Sequence, residues 1–439
     1  MGRGALQLNT TGSNNIGIGF QALVNNTTAS YSTAVGYQAL YSSNASVPNA
    51  NNTAIGNNAM YSATTGYENT AIGANALRGT TTGLSNVALG FSALYSNTTA
   101  SANTAVGYQS LYSNTTRSNN TAVGHQAGYS NTTGAIEAFG AYALYANTTG
   151  LYNKAFGESA LSNNTTGQAN CAFGGSALRE NTTASSNSAF GESAIRSNTT
   201  GGNNSAFGAN ALDANTTGGQ NTAIGTDTLT NNTTASYNTA VGYASGAPLT
   251  TGTNNVLIGY LAGASSSVDL TTGSNNICIG GNRPTTSGSA GAHQIVLATA
   301  ANISGKGDNT GFISPNGGGV YQGNNSSSWS TTSDQRLKKN IVDNNDGLEK
   351  INAIRVRNFE YRSPEEVDTE LKPSDAINKS GVQLGVIAQE LQQVLPDCVK
   401  QESTGVLSVD PDNLTWYLVN AVKQLSAKVE ALESQLKGA

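Results

Sequence analysis

Two residues five apart, Ser333 and Lys338, sit in the segment Ser333–Ile341, SDQRLKKNI, and could carry covalent chemistry. A serine hydroxyl becomes a nucleophile when a base removes its proton, and a lysine serves once burial depresses its pKa and leaves it neutral. The two histidines of the chain, His125 and His293, both precede this segment, so a Ser–His–Asp triad is excluded there. The bond to be attacked would be Thr332–Ser333, with Lys339 as a rival base. On spacing alone the plainer alternative is favoured: Arg336, Lys338 and Lys339 form a solvated basic cluster, and Ser333 or Asp334 caps a helix. A second constellation is Glu158 and Glu192, at the same coil position two repeats apart and so roughly 10 Å apart. That separation is compatible with an inverting glycosidase pair, although surface charge for solubility is the ordinary role of such acids. Cys171, Cys278 and Cys398 lie far apart with no CxxC pair, so neither a metal site nor a cofactor is expected.

The elements that must position these residues fall into two regions. Residues 1–300 carry 7 Lys/Arg and 8 Asp/Glu of the chain's 21 and 26; the rest lie in the last 139 residues. The net charge of −5 argues against a nucleic-acid partner. No apolar run approaches the roughly 18 residues of a membrane span, and MGRGALQLNTTG lacks an apolar signal-peptide core.

The first region is a repeat. An N-T-A-V-G-like motif places glycines at sixteen positions from Gly19 to Gly280, and twelve of the fifteen spacings are 17 residues. This period is too short for a helical hairpin and suits one coil of a β-solenoid. The residue before the glycine is always apolar, the position four after it is usually Leu, Ile or Met, and Asn stands four before it in fourteen copies. Stacked coils turn these positions into ladders, with Phe139, Phe156, Phe173, Phe190 and Phe207 forming an aromatic one. The residue before each glycine is expected inside the coil, and the Asn column is expected to satisfy its amides coil to coil. The NTT runs are formally glycosylation sequons but read better as turns and ladders. Tyr37, Phe91, Tyr108, Tyr243 and Tyr260 follow motif glycines and are either packing residues or sugar-stacking rings.

Burying two large side chains per coil gives roughly 3–6 kcal/mol, against about 17 kcal/mol or more for ordering the backbone. Several chains packed along one fibre axis are therefore expected, with a shaft of roughly 75 Å. The motif, as in Asn52–Gly56 and Asn103–Gly107, resembles the NSVAIG-type repeats of trimeric autotransporter adhesin heads and of phage tail fibres, with a longer period.

Residues 301–332 read as a loop-rich neck, and 333–439 as a small α+β domain. The pattern predicts a helix near Asp346–Ile354 and a strand near Arg355–Tyr361. It then predicts a strand near Val382–Val386, a helix near Ala388–Leu395, and a last helix capped by Asp410 and Pro411. Leu418, Val422, Leu425, Val429, Leu432 and Leu436 alternate spacings of four and three, a coiled-coil seam. Val at a with Leu at d ordinarily prefers dimers.

The run Ser333–Ile341, then Leu348 and Ile351, then GVIAQEL at Gly385–Leu391 with Pro396 after it, resembles the C-terminal intramolecular chaperone domain of phage tailspikes and tail fibres. That family is the endosialidase-type auto-processing peptidases. The resemblance implies a homotrimer in which the domain drives assembly of the β fibre and then removes itself by a Ser–Lys mechanism, Ser333 matching the serine and Lys338 the lysine. It implies a virion protein, folded in the host cytoplasm, that meets a host receptor or glycan and other tail proteins. A bacterial trimeric adhesin and a polysaccharide depolymerase are the alternatives. Because ALQLNTTG fits the tail of a coil, a virion-attachment domain is expected upstream or on another protein.

Overall fold

The structure, a computed structural model, describes residues 2–43, 49–265, 268–315, 319–323, 329–331, 333–368, 376–377, 379–402 and 405–438. The chain divides into two compact units, Met1–Thr332 and Ser333–Ala439.

The first unit is a β-solenoid. Strands β1 (Ile16–Ile18) to β18 (Gly311–Ser314) pair in parallel, each with the next in sequence, one strand per coil. Most are three residues long, and the register is one repeat: Ala172 lies beside Ala189, and Phe173 beside Phe190. A three-residue strand offers one face to each side. Its middle residue, nearly always Ala, is buried, and the coil interior is completed by the Leu four after the glycine and the Ala before it, as with Ala34, Ala39 and Leu40.

The residue before the motif glycine, expected inside, faces outward. Ile55, Leu89, Phe207 and Ile224 are 39%, 45%, 42% and 43% exposed. The coil is so thin that where a leucine and buried amides fill it the inner side of the strand takes alanine; Leu257 is accommodated there where Gly246 and Gly263 replace the leucine four after the glycine. The phenylalanine ladder does form, on the outer side. Phe139, Phe156, Phe173, Phe190 and Phe207 stack with ring centroids 4.7, 4.4, 5.0 and 4.8 Å apart.

After each strand from β1 to β15 the chain turns through glycine and two left-handed residues. Gly36 has φ 139°, Gln38 50° and Leu40 52°. A Cβ on Gly36 would lie 2.3 Å from the Gly56 carbonyl oxygen, so the glycine column is dictated by coil-to-coil approach as well as by φ. Leu in the left-handed region costs roughly 1–2 kcal/mol, and its complete burial, about 1.5–3 kcal/mol, offsets that.

The Asn column behaves as expected. Asn170 Oδ1 accepts from the Asn187 backbone N–H at 3.0 Å, and its Nδ2 donates to the Ala184 carbonyl at 2.8 Å. A second buried column comes from the NTT asparagines. Asn164 Nδ2 donates to Asn147 Oδ1 at 2.8 Å and to the Gly167 carbonyl at 3.1 Å. Such amides are fully buried, which favours the turn-and-ladder role over glycosylation. Exceptions to the consensus compensate one another. Gly128 replaces a core leucine, and the buried Ile136, standing where the next coil should have Asn, fills the space, its Cδ1 2.7 Å from where a Gly128 Cβ would be.

The stack continues past residue 300, through β17 (Ile295–Ala298) to β18. It ends in an antiparallel meander with β19 (Val320–Gln322) and β20 (Trp329–Thr331), where the sequence reads as loop because the NTAVG motif is absent.

The second unit follows the predicted order of helix, strand, strand, helix and last helix, with a further strand pair before the last helix that the sequence pattern did not predict. It contains α1 (Leu348–Ala353), β21 (Arg357–Phe359) paired with β22 (Gln383–Gly385), and α2 (Ala388–Val394). A 3-10 turn at Pro396–Cys398, β23 (Val399–Gln401) paired with β24 (Leu407–Val409), and α3 (Pro411–Lys437) complete it. Leu391, Leu395, Cys398, Val399 and Tyr417 make its core. Gly347 lets α1 approach α3, since a Cβ there would meet the Ala421 nitrogen at 2.7 Å. Gln424 then accepts the Leu348 N–H at 2.8 Å and donates to the Asn345 carbonyl at 2.6 Å. Among the described residues nothing covers the seam of α3: Val422 is 66% and Leu436 79% exposed.

Candidate functional site

Asp334 starts a 3-10 turn, Gln335–Leu337, by accepting the Arg336 N–H at 2.8 Å, and the Arg336 guanidinium closes on the same carboxylate at 2.6 Å. This side chain and backbone pairing holds the Asp334 carboxyl below its ordinary range. The turn ends at Lys338, whose N–H donates to the Gln335 carbonyl at 3.0 Å. It thereby carries the Lys338 Nζ back to the serine, where it donates to Ser333 Oγ at 2.6 Å. Lys339 makes no such contact among the described residues. Asp334 is the capping residue that the plainer reading anticipated; the same turn that it caps creates the Ser–Lys contact. Thr332 lies outside the described residues.

Both side chains are exposed in the single chain. An ammonium in water donates to the hydroxyl but cannot take its proton, so proton abstraction needs a desolvated lysine. Leu337, Ile341 and Val342 beside the pair are 75%, 63% and 85% exposed.

On the shaft, Glu158 and Glu192 are exposed, and the Glu192 carboxylate lies over Gly175 of the intervening coil. The rings that follow motif glycines are about half exposed, and where they adjoin they stack, as Phe91 on Tyr108 at 5.5 Å and Tyr243 on Tyr260 at 5.7 Å. Sequence reasoning missed a longer column five after the glycine. Tyr41 stacks on Tyr61, Arg78 lies 5.4 and 5.6 Å from the rings of Tyr61 and Tyr95, and Tyr95, Tyr112, Tyr129 and Tyr145 continue the stack. The signal was present as tyrosines 17 residues apart, Tyr95, Tyr112 and Tyr129.

A family model described as chaperone of endosialidase matches residues 333–400, beginning at the serine of the Ser–Lys contact. This segment is a chaperone-of-endosialidase domain. The family is a peptidase family as well, which implies self-cleaving activity for the chaperone domain. The chain is 38% identical over 111 residues to the long tail fiber protein Gp37 of Enterobacteria phage K3, a match covering 24% of this chain and 8% of that protein. It is equally similar to the long tail fiber protein Gp37 of Enterobacteria phage T2, covering 7% of it. The chain thus spans less than a tenth of the length of these relatives. The chain joins a β-solenoid to a chaperone-of-endosialidase domain and is similar, over part of its length, to phage long tail fiber proteins.

Proposed function

We propose that the chain is a homotrimeric tail-fibre shaft that attaches a phage to its host, assembled by a C-terminal chaperone domain that then severs itself between Thr332 and Ser333. The observation that carries the cleavage reading is the 2.6 Å contact of Lys338 Nζ with Ser333 Oγ at the first residues of the matched domain. Neutral Lys338 takes the hydroxyl proton as Oγ adds to the Thr332 carbonyl carbon. The tetrahedral adduct collapses by breaking the C–N bond, with the proton returned to the Ser333 nitrogen. This leaves Thr332 esterified to Ser333 Oγ, and water hydrolyses the ester to a Thr332 carboxylate and a free Ser333 amine.

Assembly supplies what the single chain lacks. The uncovered seam of α3 is an apolar surface that sister chains would cover, and the same packing would desolvate Lys338. Cleavage is then confined to assembled fibres, and the shaft, once freed of its chaperone, persists because unfolding is slow.

The test is expression of the full chain with native mass spectrometry beside a denaturing gel. Wild type should give a trimer and fragments 1–332 and 333–439. Ser333→Ala should stay whole yet trimeric. Lys338→Ala should cleave roughly 10²–10⁴-fold more slowly, and Lys339→Ala should cleave normally. Val422→Asp with Leu425→Asp should abolish both trimer and cleavage. A Ser333→Ala chain still cut before residue 333 overturns the proposal.

A further inference from the structure

The single 16-residue step of the repeat, Gly124 to Gly140, opens the side of the shaft. Regular coils place a left-handed corner residue five before the motif glycine: Asn119 (φ 64°), Tyr152 (φ 61°) and Ala169 (φ 53°). In the short coil that position is Ala135, which is not left-handed, and the corner is missing. The corners on either side, Asn119 and Tyr152, therefore border a notch of about 220 Å³, lined also by Arg117, Glu137 and Lys154.

Arg117 distinguishes this notch. It stands where the neighbouring coils carry Ala100 and Gly134. Its Nε is buried without a partner, and among the described residues no hydrogen bond or ion pair holds its guanidinium. The other four cations between Thr33 and Ile258 are all engaged. Arg78 packs on Tyr61 and Tyr95, Lys154 on Glu137, Arg179 on Glu180 and Arg196 on Asp213. Tyr152 is 66% exposed, and among the described residues no ring stacks on it, unlike the laddered tyrosines.

We infer that the notch binds a carboxylate-bearing sugar residue of a surface polysaccharide, an inference that rests on the attachment role proposed above. A free guanidinium pairs bidentately with a carboxylate. The open Tyr152 ring gives the apolar C–H face of a pyranose something flat to lie on. Glu137, Lys154 and Asn119 offer acceptors and donors for hydroxyls. The notch is smaller than the roughly 300–1,000 Å³ of drug-sized sites, so it takes one ring. Lys154 is already neutralised by Glu137 at 2.5 Å, which leaves one uncompensated positive charge. A singly charged carboxylate matches that charge, whereas a phosphate dianion would meet the Glu137 carboxylate.

The experiment is NMR titration of the full chain with tetrasaccharides containing glucuronate or galacturonate, each beside its carboxyl-reduced counterpart. At least one acidic form should bind, and its reduced form should bind about tenfold or more weakly, in line with a lost charged hydrogen bond. Arg117→Gln should lose about as much, Arg117→Lys less, and Tyr152→Ala should weaken both forms. Binding by none of the acidic forms, equal binding of the reduced form, or unchanged binding by Arg117→Gln overturns the site. Arg117→Gln should assemble and cleave like wild type on the same gel, so absent sugar binding with normal cleavage removes the notch and leaves the fibre reading intact.

Discussion

In the shaft, a typical coil buries one leucine and two alanines and hands its asparagine amides to the next coil; among the described residues of 333–439 five side chains make the core while the seam leucines of α3, Leu418, Leu425, Leu432 and Leu436, lie exposed. Each coil is the cover of its neighbour, so strands of three residues suffice and nearly every buried amide is partnered within the chain. The chaperone domain keeps a small core and presents the rest of its apolar surface outward. A shaft built this way tolerates almost no change in its inner columns, whereas a domain awaiting partners tolerates changes that the single chain scarcely feels.

The sharpest way to break that contrast is at glycine. Gly174 has φ 136°, and a Cβ there would lie 2.3 Å from the Gly191 carbonyl oxygen. Gly174→Ala should cost about 4 kcal/mol, from roughly 1–3 kcal/mol of backbone strain and about 1–3 of overpacking. Gly381, φ 80° with open space around it, should cost only about 1–2 kcal/mol as Gly381→Ala. Urea unfolding of each variant measures the two costs. Equal losses would mean that the shaft is no stiffer than the domain.

The next contrast is between asparagines. Asn170→Ala removes the acceptor of the Asn187 N–H and the donor to the Ala184 carbonyl, both buried, and should cost about 2–5 kcal/mol. Asn420→Ala removes bonds to the Asn344 and Asp346 carbonyls at 2.8 and 3.0 Å, but these are exposed, and about 0.5–1.5 kcal/mol is expected. The same unfolding curves decide it, and a mild Asn170→Ala would show that water can enter the column.

What could be read from the sequence divides along the same line. The glycine register, the leucine column and the Asn column were legible because each needs one residue type at one place, and so were α1, β21, β22, α2 and α3 of the C-terminal domain, though not the β23–β24 pair. The inward face of the strand was not. Hydrophobicity nominates the large Val, Ile or Phe for the interior, yet where a leucine already fills the coil the space left inside takes Ala, as Ala172 beside the outward Phe173 shows. The tyrosine column was hidden because its position also holds Arg78, Ser162 and Asp213. β18 to β20 lay outside the repeat and gave no period. For Ser333 and Lys338, spacing alone favoured an idle basic cluster; the turn that brings them together depends on Asp334 and Arg336, whose joint geometry no single-residue preference reveals.

The smallest expected effect is a pH-dependent one at the start of α3. Asp410 Oδ1 accepts the Asp412 N–H at 3.0 Å, and its other oxygen meets Lys400 Nζ at 2.5 Å. The Lys400 ammonium, helped by the helix N–H groups, holds this carboxyl below its ordinary value. With the folded pKa depressed, the folded state binds fewer protons than the unfolded one. The contribution is therefore complete above the ordinary carboxylate pKa of about 3.9 and fades as pH falls through the folded value. Asp410→Ala should cost about 1 kcal/mol at pH 7, the usual worth of an N-cap. Asp410→Asn, which keeps the cap and loses the ion pair, should cost a few tenths, since exposed pairs contribute about 0–1 kcal/mol. The described helices all lie in residues 333–439, so helical circular dichroism during denaturation follows this domain, and the variants are compared in a Ser333→Ala background, which stays whole. The gap between wild type and Asp410→Ala should narrow steadily below pH 4. A gap that persists unchanged at pH 2 would mean that residue 410 acts through packing rather than charge, and the domain would then resemble the shaft more than the comparison allows.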